Sequence, residues 1–94
     1  MPIFAVHYTY SEATVGGRDE HRPAHRAWLS GLVERGTVLS SGPYQDGSGA
    51  LILFCAETAD EMSTLLAADP FAREGLIDDV RLVEWLPVMG TFAA

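Results

Sequence analysis

Four segments of the chain are rich in aromatic, β-branched and other apolar residues, a pattern that predicts β-strands. They span residues 3–10, 37–41, 50–57 and 80–88. In the first segment, alternate positions place Phe4, Val6, Tyr8 and Tyr10 on one face. The other face, which begins at Ile3, is also largely apolar. We therefore expect this strand to lie in the centre of a sheet that is covered on both sides.

The segment after the first strand predicts an amphipathic helix. Residues 11–18 contain Gly16-Gly17 and are interpreted as a loop. Pro23 suits the first helical position, because its φ is fixed and it lacks an N–H group. A stripe with 3–4 residue spacing follows, and it consists of Trp28, Leu29, Leu32 and Val33. Gly36 is expected to end this helix.

A second helix is predicted between the third and fourth strands. The sequence Thr58-Ala-Asp-Glu61 is a capping box, which marks a helix N-terminus. The apolar stripe that follows is Met62, Leu65 and Leu66. Asp69-Pro70 is expected to end this helix, and residues 70–74 are expected to form one further helical turn before Gly75.

The order of these elements, β-α-β-β-α-β, predicts an α+β domain over residues 1–94. Right-handed crossovers reduce it to a ferredoxin-like sandwich, in which two helices cover one face of a four-stranded antiparallel sheet. The other face would then expose a broad apolar surface, and surfaces of that kind usually form interfaces. We therefore expect a homodimer in which two such sheets pack face to face.

The amino-acid composition of the chain limits the classes of partner and of site that it can have. The chain has 94 residues, 6 arginines, no lysine and 13 acidic residues, which gives a net charge of −7. This balance disfavours nucleic-acid partners and anionic membranes. No apolar run is long enough to span a bilayer and no basic region precedes an apolar stretch at the N-terminus, so we expect a cytoplasmic protein. The single Cys55 excludes an internal disulfide and a multi-cysteine zinc site.

The predicted topology brings chemically useful side chains to one pocket mouth. The first helix would begin where the second ends, so that His25 and Asp69 both point inward at neighbouring helix ends. The ends of the first two strands reach the same rim, with the residues Tyr8, Tyr10, Ser41, Gly42, Pro43 and Tyr44. A carboxylate bonded to one imidazole nitrogen would fix the tautomer and leave the other nitrogen as a general base.

Positive charge also concentrates near this position. Residues 18–26 carry a net charge of +1, from three arginines, Asp19 and Glu20, whereas the rest of the chain carries −8. With the free backbone N–H groups of a helix start, Arg22 and its neighbours predict a site for a substrate carboxylate or enolate.

Simpler interpretations of the same residues stay open at this point. Asp69 before Pro70 is an ordinary N-cap, and His25 could bond only to solvent at a helix start. His21 and His25 have the spacing of a metal pair, but Pro23 is expected to leave His21 outside the helix, and no zinc site is predicted. Cys55 lies in the most apolar strand, where burial would make it inert.

Three motifs together resemble the YciI-like (YCII-related) family. They are Arg22-Pro-Ala-His25, Gly36-Thr-Val-Leu-Ser-Ser-Gly42-Pro43 and Asp69-Pro-Phe71 with Gly75. The resemblance implies a dimeric α+β barrel of ferredoxin-like subunits, with His25 and Asp69 as the family's proposed catalytic dyad. One activity known among relatives is the dehydrochlorination of a chlorinated hydroxyhydroquinone. The family often has an apolar residue where this chain has Arg26.

The sequence therefore favours a small enzyme that needs no metal or other cofactor and acts on a small organic molecule, such as a cyclic or aromatic compound. His25 would be the general base or acid and Asp69 would orient it. Arg22, Tyr8 and the rim Ser41-Gly42-Pro43 would bind the substrate, and the step would be an elimination, an isomerisation or a related lyase-type reaction. The alternative is a non-catalytic ligand-binding or protein-interaction module, in which His25 and Asp69 only join two helix ends.

Overall fold

Four antiparallel strands form one sheet in the order β2-β3-β1-β4. A computed structural model describes residues 1–93. Its strands are β1 (Ile3–Thr9), β2 (Val38–Pro43), β3 (Gly49–Cys55) and β4 (Asp79–Trp85). The helices are α1 (Val15–Glu34), α2 (Ala59–Ala67) and the short α3 (Pro70–Arg73), and a 3₁₀ turn at Glu12–Thr14 precedes α1. This is the predicted ferredoxin-like α+β fold.

Both long helices cover the same face of the sheet. On β1, the side chains of Phe4, Val6 and Tyr8 are at most 4% exposed and join one apolar cluster. Leu32 from α1 and Met62 from α2 belong to that cluster. The interior therefore lies between this face and the helices, and the prediction that β1 is a central strand is confirmed.

The predicted helix ends are confirmed at two places. Thr58 caps α2, since its hydroxyl accepts a hydrogen bond from the Glu61 N–H at 3.1 Å. The Glu61 carboxylate accepts from the Glu57 N–H at 2.9 Å, which completes the capping interaction one residue earlier than the usual pattern. Gly36 follows α1 with a φ of 76°, a left-handed conformation that glycine adopts without strain.

The start of α1 differs from the prediction. Residues 11–18 were expected to form a loop and Pro23 to begin the helix, but α1 begins at Val15 and contains Pro23 in its interior. Tertiary contacts hold these first turns in place. The buried Arg18 donates to the carbonyl oxygens of Ser11 at 2.9 Å and Leu76 at 3.3 Å. Such contacts outweigh the low helix propensity of two glycines and a proline.

The C-terminal ends of the strands also differ from the prediction, by one to three residues. β2 continues to Pro43 instead of ending at Ser41, so Ser41, Gly42 and Pro43 pair with β3. β4 ends at Trp85, three residues before the predicted end. The extension of β2 places the rim residues on a strand, which holds them more firmly than a turn would.

The sheet face opposite the helices, called the open face below, is apolar toward the end that carries Ile3 and Trp85. It is polar toward the other end, where the register places His7, Thr9, Asp79 and Arg81. Its residues include Ile3, Leu51, Leu53, Cys55, Val83 and Trp85, as the strand register shows. Trp85 is 41% exposed and contacts Phe92 edge to face. Beyond β4, Leu86, Val88 and Met89 are each more than 70% exposed. Among residues 1–93, no helix has the length and apolar character needed to cross a membrane.

The early start of α1 leads to a prediction about the two glycines in its first turn, Gly16 and Gly17. A Cβ at Gly16 would meet no other atom, whereas a Cβ at Gly17 would overlap the side chain of Leu76. Gly16→Ala should therefore stabilise the protein by about 0.5 kcal/mol through helix propensity. Gly17→Ala should destabilise it by about 1–2 kcal/mol, because the buried Leu76 must shift.

Urea unfolding followed by circular dichroism would measure both changes. Equal effects of the two substitutions would contradict this placement of the first helical turn.

Candidate active site

A histidine, an aspartate and a tyrosine from three elements form one buried hydrogen-bonded chain. The His25 Nδ1 lies 2.7 Å from the Asp69 Oδ1, and the Tyr8 hydroxyl lies 2.7 Å from the Asp69 Oδ2. His25 belongs to α1, Tyr8 to β1, and Asp69 to the junction of α2 and α3. The convergence of His25 and Asp69 expected from the topology is present in the structure.

Asp69 combines the two interpretations that the sequence left open. It is the N-cap of α3, and its Oδ1 accepts from the Phe71 N–H at 2.9 Å as well as contacting His25. Its exposed fraction is 0%. A carboxylate removed from water requires such donors, and the Phe71 N–H, the Tyr8 hydroxyl and the imidazole provide them. Capping and contact with the histidine are therefore one arrangement.

The ring of His25 is held by packing as well as by hydrogen bonding. It stacks on Phe71 with ring centroids 3.9 Å apart and planes 3° from parallel. Because a carboxylate accepts, the Nδ1–H donates to Asp69, and in the neutral imidazole the free lone pair then belongs to Nε2. No side-chain nitrogen or oxygen within residues 1–93 is both fully buried and unpaired. Nε2 has no hydrogen-bond partner there, so it retains access to the adjacent pocket.

The tyrosine behind Asp69 is a donor. Burial, together with the negative charge of Asp69, raises the pKa of the Tyr8 hydroxyl well above its ordinary value. The hydroxyl therefore stays protonated and donates to the carboxylate. Since Tyr8 is only 1% exposed, the structure places it behind the pocket. Tyr8 was expected to contact substrate, but its hydroxyl is directed at Asp69 and it does not belong to the pocket lining within residues 1–93.

A pocket of about 370 Å³ opens in front of His25. Its lining comes from one face of α1, the end of β2 and three further positions. The residues are Tyr10, Arg22, His25, Arg26, Leu29, Ser30, Val33, Ser41, Gly42, Pro43, Ala50 and Phe71. Of the residues predicted to bind substrate, Arg22, Ser41, Gly42 and Pro43 lie on this lining.

Several lining residues were not selected from the sequence. Leu29, Ser30 and Val33 follow His25 at helical spacings of four, five and eight residues. Their spacing from His25 could have identified them as pocket residues, but Leu29 and Val33 were assigned to the buried stripe of the helix. Tyr10 also lines the pocket, and burial is the main cause that raises its pKa to about 12. Its hydroxyl thus stays protonated at neutral pH and can donate to a ligand.

The expected helix-terminal anion site is not present at His25. This residue lies ten positions after Val15, the first residue of α1, so the neighbouring backbone N–H groups are used within the helix. Of the nearby arginines, Arg18 is buried and lies over the Tyr10 ring at 4.3 Å. Arg22 pairs with Asp19 at 2.6 Å. Positive charge near the pocket therefore comes from side chains alone.

The remaining histidines lie outside this pocket. His21 belongs to α1, contrary to the prediction, and its Nε2 lies 3.5 Å from the Glu74 carboxylate. His7 hydrogen-bonds to the Tyr44 hydroxyl through Nδ1 at 2.7 Å. In residues 1–93, no group of three or more His, Cys, Asp or Glu side chains is arranged to hold a metal ion.

Comparison with known proteins places the chain in a family. A family profile described as the YCII-related domain matches residues 3–86. The chain belongs to the YCII-related family. This assignment agrees with the three motifs that carry His25, the Gly42-Pro43 rim and Asp69, and it covers all the elements of the fold.

Solved structures that share the fold of this YCII-related protein include the following two. One is the 5-chloro-2-hydroxyhydroquinone dehydrochlorinase TftG from Burkholderia phenoliruptrix AC1100, in complex with 2,5-dihydroxybenzoquinone. It has a TM-score of 0.77 and 23% sequence identity, over 88% of this chain and 92% of that one. The other is a protein from Arabidopsis thaliana, with a TM-score of 0.52 and 14% identity over 98% and 100% of the two chains. No curated protein matches the sequence.

The hydrogen bond from Tyr8 to Asp69 leads to a stability prediction. Tyr8→Phe removes a donor from a fully buried carboxylate, so it should lower the free energy of unfolding by about 1–3 kcal/mol. Tyr10→Phe is the matched control, because the Tyr10 hydroxyl has no hydrogen bond within residues 1–93, and it should cost less than about 0.5 kcal/mol. Chemical denaturation measures both changes. Equal losses would show that the Tyr8 hydroxyl does not support Asp69.

Proposed function

We propose that this protein is a small cofactor-independent enzyme that uses His25 and Asp69 for general acid/base chemistry on a small cyclic or aromatic molecule. The observation that supports the proposal most directly is the orientation of His25. Its Nδ1 is bonded to a buried carboxylate at 2.7 Å, and its ring borders a 370 Å³ pocket. Buried, oriented titratable pairs beside a pocket are the usual features of acid/base sites.

In the proposed step, the His25 Nε2 removes a proton from a carbon next to a carbonyl group of the substrate, and a hydroxylated aromatic ring offers such a carbon in its keto tautomer. The electron pair of that C–H bond passes into an enolate, whose negative charge the Arg22 guanidinium and the Ser41 hydroxyl would stabilise. Asp69 stabilises the imidazolium that forms. The enolate then expels a leaving group from the neighbouring carbon, or it takes the proton back at another carbon. The first outcome is an elimination and the second an isomerisation.

The shape and composition of the pocket support a compact cyclic substrate. Apolar walls from Leu29, Val33 and Phe71 would pack against a ring, while the Tyr10 and Ser41 hydroxyls offer polar contacts at its edge. The neighbour TftG is named for loss of chloride from a hydroxylated ring, and its structure holds a dihydroxyquinone. Compounds of this class are therefore the first to test on this chain.

The central prediction concerns the two residues of the dyad. His25→Ala and Asp69→Asn should each lower turnover by about 10²–10⁴-fold, because the first removes the base and the second alters its orientation and charge. Chloride release from 5-chloro-2-hydroxyhydroquinone without oxygen measures elimination. Loss of C–H signals in D₂O, for cyclic ketones and hydroxyquinones, measures proton abstraction in general.

His21→Ala is the matched control. It removes a histidine from the same helix that contacts Glu74 and does not line the pocket, so turnover should be unchanged. If His25→Ala and Asp69→Asn kept full activity, or if wild-type protein catalysed neither reaction, the proposal would be wrong. Strong destabilisation by His25→Ala with unimpaired activity would favour the purely structural role of the pair.

We also propose that the protein is a homodimer that associates through the open face of the sheet. That face carries Ile3, Leu51, Leu53 and Val83 next to the half-exposed Trp85. A second copy offers an identical apolar face, and packing two such faces would remove both from water.

The proposed dimer is tested by introducing a charged side chain at its interface. Trp85→Glu should shift the protein to monomer in sedimentation velocity experiments, because a carboxylate would be buried at the interface. Val15→Glu is the control, since Val15 is 48% exposed at the start of α1, away from the open face, and should leave the dimer intact. A wild-type monomer at micromolar concentration would contradict the proposal.

A further inference from the structure

Within residues 1–93, the side chains that line the pocket include no acidic residue, although the protein is acidic overall. The chain carries 13 acidic and 6 basic residues. Among residues 1–93, those that line the pocket include no Asp or Glu, but they include Arg22 and Arg26. Of the carboxylates nearby, Asp69 lies behind His25 with 0% exposure and is engaged by three donors, and Asp19 pairs with Arg22. Within residues 1–93, the arginines are therefore the permanently charged side chains on the pocket lining.

The two arginines differ in whether the guanidinium group already has an acidic partner. Arg22 donates to Asp19 at 2.6 Å, so part of its charge is already compensated. Within the described part of the chain, the Arg26 guanidinium forms no ion pair or hydrogen bond. Arg26 is exposed and lies on the pocket wall, next in sequence to His25. It is therefore the guanidinium available to pair with a ligand.

The polarity of the pocket changes along α1. Arg22, His25 and Arg26 line one end, and Leu29 and Val33 line the other. At a rise of about 1.5 Å per residue, the wall from Arg22 to Val33 is about 16 Å long. A ligand that spans it would place an anionic group at the arginine end and an apolar part at the leucine and valine end.

We propose that Arg26 determines substrate class, and that the substrate is an amphipathic organic anion whose carboxylate or similarly ionised oxygen pairs with the Arg26 guanidinium. This inference rests on the proposed function and deepens it. A planar guanidinium can donate two parallel hydrogen bonds to such a group, which gives both affinity and orientation. With the anion fixed at Arg26, the adjoining carbon atoms lie toward His25, where the proposed proton transfer takes place.

The test compares ring carboxylates with their uncharged amides, which differ little in size. The pairs are benzoate and benzamide, phenylacetate and phenylacetamide, and 2,5-dihydroxybenzoate and 2,5-dihydroxybenzamide. Calorimetry or NMR titration of the 94-residue chain gives the affinity of each at low salt. At least one carboxylate should bind about tenfold more tightly than its amide. Arg26→Gln should reduce that preference to less than about twofold.

Two further variants separate local pairing from net charge. Asp19→Asn removes the partner of Arg22 and should strengthen carboxylate binding. Arg35→Gln makes the same charge change as Arg26→Gln but lies outside the pocket, after the end of α1, and should leave the preference unchanged.

The inference is overturned if no carboxylate binds more tightly than its amide, including the case in which none binds. It is also overturned if Arg35→Gln removes the preference as fully as Arg26→Gln does. These measurements need no turnover, so they are independent of the dyad. Retained preference in Arg26→Gln, with activity lost in His25→Ala, would refute the role of Arg26 and leave the proposed function standing.

Discussion

The buried carboxylate of Asp69 connects three parts of the fold. A charge removed from water must be compensated, and here a backbone N–H, a tyrosine hydroxyl and an imidazole share that role. These donors come from α3, from the central strand and from α1. The carboxylate therefore fixes how the end of α2 meets both the sheet and α1. The orientation of His25 follows from this constraint, since the ring has Asp69 on one edge and Phe71 on its face.

The unusual start of α1 has a related consequence for the site. Because the helix begins at Val15, His25 lies three turns inside it and the whole stretch from Arg22 to Val33 is one rigid wall. A helix beginning at Pro23 would have offered backbone N–H groups to an anion. The longer helix uses those groups internally and presents side chains instead. Anion recognition then depends on which residues occupy the exposed positions of one helix face, and here these include Arg22 and Arg26.

The net charge and the charge of the pocket have opposite signs. Acidic residues outnumber basic residues in the chain as a whole. The pocket lining within the described chain has only cationic and neutral side chains. Because the field of a concave site depends on nearby groups more than on the total, an acidic protein can still attract an anion into a cleft. The net charge alone bears on nucleic-acid and membrane partners and says little about small ligands.

Local patterns in the sequence determined the strands, the end of α1 at Gly36, the cap at Thr58 and the order of elements, because each depends on residues close together in the chain. The order of elements predicted that His25 lies near Asp69, since the topology of a small sheet with two crossovers has few solutions. The contact is present, but His25 reaches Asp69 from the interior of α1 and not from its first turn. The sequence could not show that α1 begins at Val15. Arg18 holds that turn through Ser11 and the distant Leu76, and only the tertiary structure brings these groups together. The sequence also could not distinguish the roles of Tyr8 and Tyr10, because both residues lie on one face of the first strand segment. Tertiary packing directs one hydroxyl to Asp69 and leaves the other ring on the pocket wall.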